Sequence, residues 1–175
     1  YAVYDDDPAN AEIYGNLYNW YAVDDERGIC PESWHVPSDD EWISITDYLG
    51  GIEIAGGKMK EAGYGHWNSP NVGATNESGF KGLPSGYRDR LVGHYTQINQ
   101  STSFWAYNSE NINSNDEVYR NLNHNEAAFL QSTEIYTNGN AIRCLETVEG
   151  CTDSYADNYA DTANINDGSC EYPDN

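Results

Sequence analysis

Hydrophobic positions in this chain fall into short runs separated by polar turns, and one stretch has a helical period. Trp42, Ile45 and Leu49 share one helical face. Ser38-Asp39-Asp40-Glu41, just before them, has the spacing of a capping box: the Ser38 hydroxyl can accept from the Glu41 N–H while Glu41 reaches back. Gly50-Gly51 supplies a left-handed exit. A helix is therefore predicted between Ser38 and Gly50, and a shorter one from Ala55 to Glu61, with Met59 inward and Lys58 and Lys60 outward. Tyr14 to Val23 (YGNLYNWYAV) reads as a buried, strand-like segment. Gly63 to Leu83 is rich in Gly, Asn, Pro and Ser without a period, and reads as one long loop. Strand-like runs follow at Gly86–Val92, Ser103–Ser109, Val118–Leu122, Ala127–Ser132 and Ala141–Leu145, with a hairpin signal at Asn138-Gly139. Helix first, then loop, then successive strands predicts an α+β fold built on antiparallel pairing.

Composition sharpens this picture. The chain has 175 residues, room for one ordinary domain over residues 1–147 and a small acidic, Cys-bracketed module over 148–175. That last unit has too few aliphatic residues to bury a useful core and needs a staple, a metal or a neighbour. Its acidic end, Glu171–Asn175, is expected to be held in place rather than frayed. Much of the 38% hydrophobic content is aromatic, with 15 Tyr, 5 Trp and 3 Phe, so a core requires rings packed inside. Eight Lys and Arg stand against 29 Asp and Glu, for a net charge of -21, which disfavours nucleic acid and anionic membrane as partners. No run approaches the roughly 18 apolar residues of a membrane helix, so membrane insertion is not expected. The sequence opens at Tyr1 with no basic-then-apolar leader, as in a mature or trimmed product. Cys30, Cys144, Cys151 and Cys170 have no CxxC spacing. An even, widely spaced set predicts two disulfides and an oxidising compartment. Three pairings are possible, and the boundary at Gly150 favours Cys30–Cys144 with Cys151–Cys170.

A series of motifs then carries a resemblance. In order they are Gly15-Asn16-Leu17-Tyr18-Asn19-Trp20-Tyr21-Ala22-Val23, Cys30-Pro31-Glu32-Ser33-Trp34-His35-Val36-Pro37-Ser38, Ala55-Gly56-Gly57-Lys58-Met59-Lys60-Glu61, and His66-Trp67-Asn68-Ser69-Pro70-Asn71. Gly73-Ala74-Thr75-Asn76-Glu77-Ser78-Gly79-Phe80, Leu83-Pro84-Ser85-Gly86-Tyr87-Arg88 and Ile142-Arg143-Cys144 complete the series. Over residues 1–147 the chain resembles the bacterial major paralogous domain family (FISUMP). The resemblance implies an extracellular or surface-anchored module with a C-type-lectin-like antiparallel sheet, one or two short helices and long loops. It also implies further chain upstream of Tyr1, including a strand, whose place a neighbouring subunit would fill if that segment is cleaved or lost. The tail from Gly150-Cys151-Thr152-Asp153 to Cys170-Glu171-Tyr172 is loosely similar to thrombospondin type 3 calcium repeats. Against a lectin's calcium-and-sugar signature, Ser69-Pro70-Asn71 lacks the acid of Glu-Pro-Asn and Trp67-Asn68-Ser69 lacks the Asp of Trp-Asn-Asp. Sugar binding of that calcium-dependent kind is therefore not implied.

Candidate sites follow from residue chemistry. Asp153, Asp157, Asp161, Asn164 and Asp167 are dense oxygen donors that a Ca²⁺ ion could use, or plain turn residues closed by Asp167-Gly168. Trp67, Asn68, Asn76 and Glu77 form a candidate ligand loop, with a self-satisfied loop as the favoured reading of Asn71 to Phe80. Asn76 and Asn99 fit the N-glycan acceptor pattern, and Thr162 sits in a short O-glycan acceptor, Asp161-Thr162-Ala163. His35 is expected to be a hydrogen-bonded core histidine, while His66, His94 and His124 are scattered. No nucleophile elbow or phosphate loop is present, and no cysteine is left over once the bridges form, so no catalysis is expected. The expectation is a secreted or cell-surface structural or adhesive module, associating with itself in a fibre or with other surface proteins. The alternative is a carbohydrate- or peptide-binding domain that takes a glycan on the aromatic residues of the long loop.

Overall fold

In the computed structural model, which describes residues 1–107, 116–135 and 137–173, the capping box forms as its spacing predicts. Ser38 accepts from the Glu41 N–H at 3.2 Å, and the Glu41 carboxylate accepts from the Ser38 N–H at 2.8 Å. Four helices and nine strands follow one another among the described residues. The helices are α1 (Pro8–Tyr14), α2 (Trp20–Val23), α3 (Asp39–Tyr48) and α4 (Ile52–Met59), preceded by a 3₁₀ turn at Tyr4–Asp6. The strands are β1 (Trp34–His35), β2 (Ser85–Arg88), β3 (Tyr95–Ile98), β4 (Ser101–Trp105), β5 (Asp116–Asn123), β6 (Leu130–Ile135), β7 (Leu145–Glu146), β8 (Glu149–Gly150) and β9 (Ile165–Asn166). The fold is α+β.

The chain divides into two units, one of residues 1–29 with 36–143 and one of residues 30–35 with 144–175. The larger unit holds a five-stranded sheet in the order β3-β2-β4-β5-β6, antiparallel except for a short parallel contact of β2 with β4 at Gly86 and Thr102. Central β4 is buried along its whole length, as a strand covered on both faces must be. Its Phe104 joins Trp42, Phe129, Leu122 and Met59 in the main core, with Ile45 and Phe80 packed on the margin. The Trp42 ring lies 5.3–5.9 Å from those of Phe129, Phe104 and Phe80, so the rings do form the core the composition demanded. Trp20, Val23 and Trp105 make a second cluster. Asp39, at the first turn of α3, accepts from Arg120 Nε on β5 at 2.9 Å, which fixes the helix start against the sheet. Arg120 is almost wholly buried, so loss of either partner would leave an uncompensated charge.

Several predicted elements differ in the structure. Tyr14–Val23 is not a strand: Leu17 and Tyr18 make isolated bridges to Ala2 and Asn140, and Trp20 begins α2. Of its rings only Trp20 is buried; Tyr14 and Tyr18 are half-buried and Tyr21 is exposed. Helix α1 has no counterpart in the predicted pattern, although Asp7 caps it by accepting from the Ala9 N–H and Pro8 opens it. Strand β3 is likewise additional, and pairs antiparallel with β2. The second helix begins three residues earlier than its apolar face suggested, at Ile52. Met59 is inward, but Lys60 is fully buried rather than outward, its ammonium donating to the Asn123 and Glu126 carbonyls at 2.7 Å each. Asn138-Gly139 makes no hairpin, because Gly139 bridges Arg88. The Ser103–Ser109 run ends as a strand at Trp105, and its residues 108–109 lie outside the described residues, as do 174–175 of the acidic end.

The smaller unit is stapled twice. Cys30–Cys144 and Cys151–Cys170 are both formed, with Cα atoms 5.8 Å and 4.8 Å apart. On the loop-entropy model these bridges contribute roughly 5 and 3 kcal/mol. Only β1 with β7 and β8 with β9 pair here, and the buried apolar centre is small, with Cys151 and Ala156 its most covered members. His35 is half-buried with Nδ1 2.8 Å from the Thr147 hydroxyl, as a hydrogen-bonded histidine should be.

Two measurements test this packing. A Cβ on Gly57 would lie 2.5 Å from the Gly73 carbonyl oxygen, so Gly57→Ala should lower unfolding stability by about 2–3 kcal/mol in urea with disulfides intact. A midpoint equal to that of the parent would show that α4 sits less tightly than described. Burial pushes the Lys60 pKa down to about 8, with Glu126 opposing. Between that value and the unfolded value of about 10.4, the unfolded chain holds a proton that the folded chain has lost. Stability should therefore rise from about pH 8 toward pH 10, and the rise should vanish in Lys60→Met. Above that window Tyr4 and Tyr14, whose pKa values burial raises, act in the opposite direction.

Candidate functional site

The end of α4 shows what the long loop does. A helix leaves its last four carbonyls without partners of its own. Here the Gly56 carbonyl accepts from Lys60 N–H, that of Gly57 from Thr75, that of Lys58 from both the N–H and the hydroxyl of Ser78, and that of Met59 from Gly82. The Asn76 side chain accepts from the Lys81 N–H at 2.7 Å, and Glu77 lies 3.3 Å from the Lys58 ammonium. Asn76 and Glu77 thus belong to a loop that caps a helix. The Asn76 side chain meets its own loop, and that of Glu77 meets α4.

Trp67 cannot be a surface platform for a sugar. It is 2% exposed, and its indole N–H donates to the Gly82 carbonyl at 3.0 Å. Burial of the large apolar ring, with its one donor satisfied, accounts for the residue. Asn68 is exposed and its N–H donates to the Asn99 carbonyl. The Asn99 side chain accepts from the Tyr14 hydroxyl at 2.9 Å. Thr162 is exposed. His66 pairs with Glu61 at 2.7 Å, and His124 with the Ser69 carbonyl at 3.0 Å.

In the small unit, the oxygens offered for calcium serve the backbone. Asp153 accepts from the Tyr155 N–H at 2.9 Å and the Tyr172 hydroxyl at 2.8 Å, and Asp167 accepts from the Ser169 N–H at 2.9 Å. These bonds hold both carboxyls below their ordinary pKa. Asn164 accepts from the Val148 N–H and donates to the Glu146 carbonyl, both at 2.8 Å. Asp157 and Asp161 are exposed. Among the described residues no group of three or more His, Cys, Asp or Glu side chains converges as a metal site would require. Asp153, Asn164 and Asp167 form side-chain-capped turns.

The feature with binding geometry lies elsewhere, in the larger unit. A cavity of about 400 Å³ is walled by Tyr14, Tyr18 and Phe104, with Ser85 and Thr102 at the sheet and Lys81 and Arg143 on its margin. The Ser85 and Thr102 hydroxyls lie 2.8 Å apart, both buried on β2 and β4. The Arg143 guanidinium is 4.5 Å from the Phe80 ring centre and donates to the Phe80 carbonyl. Lys81, largely exposed, lies 3.8 Å from Glu61. Residue chemistry alone did not mark this place, because it is assembled from four separated segments.

The family model described as the Fibrobacter succinogenes major domain matches residues 1–146. No curated protein and no solved structure matches the chain.

If turns rather than a cation order the small unit, EDTA should leave amide hydrogen exchange over residues 150–173 unchanged. A faster exchange on chelation, restored by added calcium, would show that the oxygens do hold an ion.

Proposed function

We propose that this chain, which belongs to the Fibrobacter succinogenes major domain family, is a non-enzymatic structural or adhesive surface module that joins copies of itself through the open edge of β6. The family suggests a surface module, and two disulfides suit an oxidising, extracellular setting. No helix among the described residues is long and apolar enough to cross a membrane.

The observation that carries the reading is the position of β6. It ends the five-stranded sheet, and Leu130-Gln131-Ser132-Thr133 are exposed, uncharged and free of proline. Edge strands are usually blunted by charge, proline, a bulge or very short length, because unpaired N–H and C=O groups recruit another strand. The opposite edge, β3, is shorter at four residues. A second copy, pairing edge to edge, satisfies both β6 strands at once. Repeated through a further contact, such pairing would build a fibre. A non-enzymatic role is supported by the engagement of every cysteine in a disulfide, which leaves no thiol nucleophile. The cavity beside Arg143 supports a second reading, a module that takes a carbohydrate ligand.

Light scattering at rising concentration should show dimers or larger species, and Ser132→Lys with Thr133→Lys should shift them to monomer without changing the melting temperature. A strictly monomeric parent at high concentration, with and without calcium, would remove the edge-pairing reading.

A further inference from the structure

We propose that the cavity between β2, β4 and the Tyr14–Tyr18 segment binds a saccharide carrying a single carboxylate, a uronic-acid unit, with Arg143 as the anion-recognising side chain. This goes beyond the edge-pairing role and uses a different surface.

Charge is the first argument. In a chain of 29 acidic and eight basic residues, four of the cations have acidic partners: Arg27 with Asp25, Lys58 with Glu77, Lys81 with Glu61 and Arg120 with Asp39. Arg143 has none among the described residues. It is held instead against an aromatic face and a carbonyl of the same residue, Phe80, which orders the guanidinium without neutralising it. A guanidinium has five N–H donors in a fixed fork, and one is engaged here, so the rest are available for bidentate capture of a planar carboxylate. Lys81 adds a second positive charge to the same rim, partly offset by Glu61.

The walls argue for a sugar behind that carboxylate. Tyr14 and Tyr18, both partly exposed, supply ring surface for the apolar face of a pyranose, and Asn16, partly exposed beside them, supplies an amide for its hydroxyls, over a floor formed by buried Phe104, Ser85 and Thr102. The volume of about 400 Å³ lies within the range of roughly 300–1,000 Å³ typical of small-molecule sites. The net charge of -21 sets the ligand's limit: a polyuronate would be repelled as a whole, whereas one acidic unit on a neutral oligosaccharide is not.

Titration calorimetry with a glucuronic-acid-terminated disaccharide and its glucose-terminated counterpart tests this. The acidic disaccharide should bind at least about ten-fold more tightly than the neutral one, and Arg143→Gln should erase that preference. Lys81→Gln, at an exposed position apart from the Phe80 stacking, should weaken the acidic ligand about three-fold with an unchanged melting temperature. Equal affinity for the two disaccharides, no binding at millimolar ligand, or an unaltered preference in Arg143→Gln would overturn the proposal. So would acetate or inorganic phosphate binding as tightly as the acidic sugar, since either would make this a general anion site. Light scattering of the same samples keeps the two proposals separate, because ligand binding and edge pairing can each fail alone.

Discussion

The four carbonyls at the end of α4 are the point on which the larger unit turns. Left open inside a core they would each carry a desolvation cost of about 1–3 kcal/mol. Lys60 N–H closes the first, at Gly56, and the long loop after Gly63 travels back to close the other three, with Thr75, Ser78 and Gly82 as donors. Gly57 lets the loop backbone at Gly73 approach with no room for a side chain, and Gly56 does the same for the backbone at Ala127 and Ala128. Trp67 then fills the space under the loop, and Lys60, the residue that ends α4, ties it to the turn after β5. One helix terminus thus sets the course of the loop and its turns.

Local chemistry was legible in the sequence, and long-range chemistry was not. The Ser38–Glu41 box, the Gly50-Gly51 exit and the α+β order rest on spacings of a few residues, and the structure realises each of them. The disulfide pairing followed from a composition boundary at Gly150. Lys60 misled because its burial depends on the Asn123 and Glu126 carbonyls, more than sixty positions away, and no periodicity reports such partners. The α1 helix carried a readable signal, Asp7 at the cap and Pro8 at the first position, which the aromatic run after it obscured. Trp67, offered as a glycan platform only in the alternative reading, is buried because this loop packs on its own scaffold. The cavity gathers residues from separated stretches of chain, and each of them is ordinary alone.

The small unit follows another strategy for the same problem. With little apolar surface to cover, it relies on two covalent bridges and on Asp and Asn side chains that bond nearby backbone N–H groups. Asp and Asn side chains are thus one means by which a unit with little core holds its turns.

The placement of Lys60 and Arg120 has an effect beyond packing. Both lie inside the larger unit, Arg120 against the Asp39 carboxylate and Lys60 against carbonyls alone, so one of the eight positive charges is withdrawn from the exterior with no carboxylate beside it. What a neighbouring molecule meets is thus even more anionic than the composition suggests. Like-charged bodies of this kind stay dispersed until they come within about a Debye length, roughly 8 Å in physiological saline. Crowding on a wall or in a matrix rich in counterions would then decide when they touch, giving the environment's salinity control over cohesion.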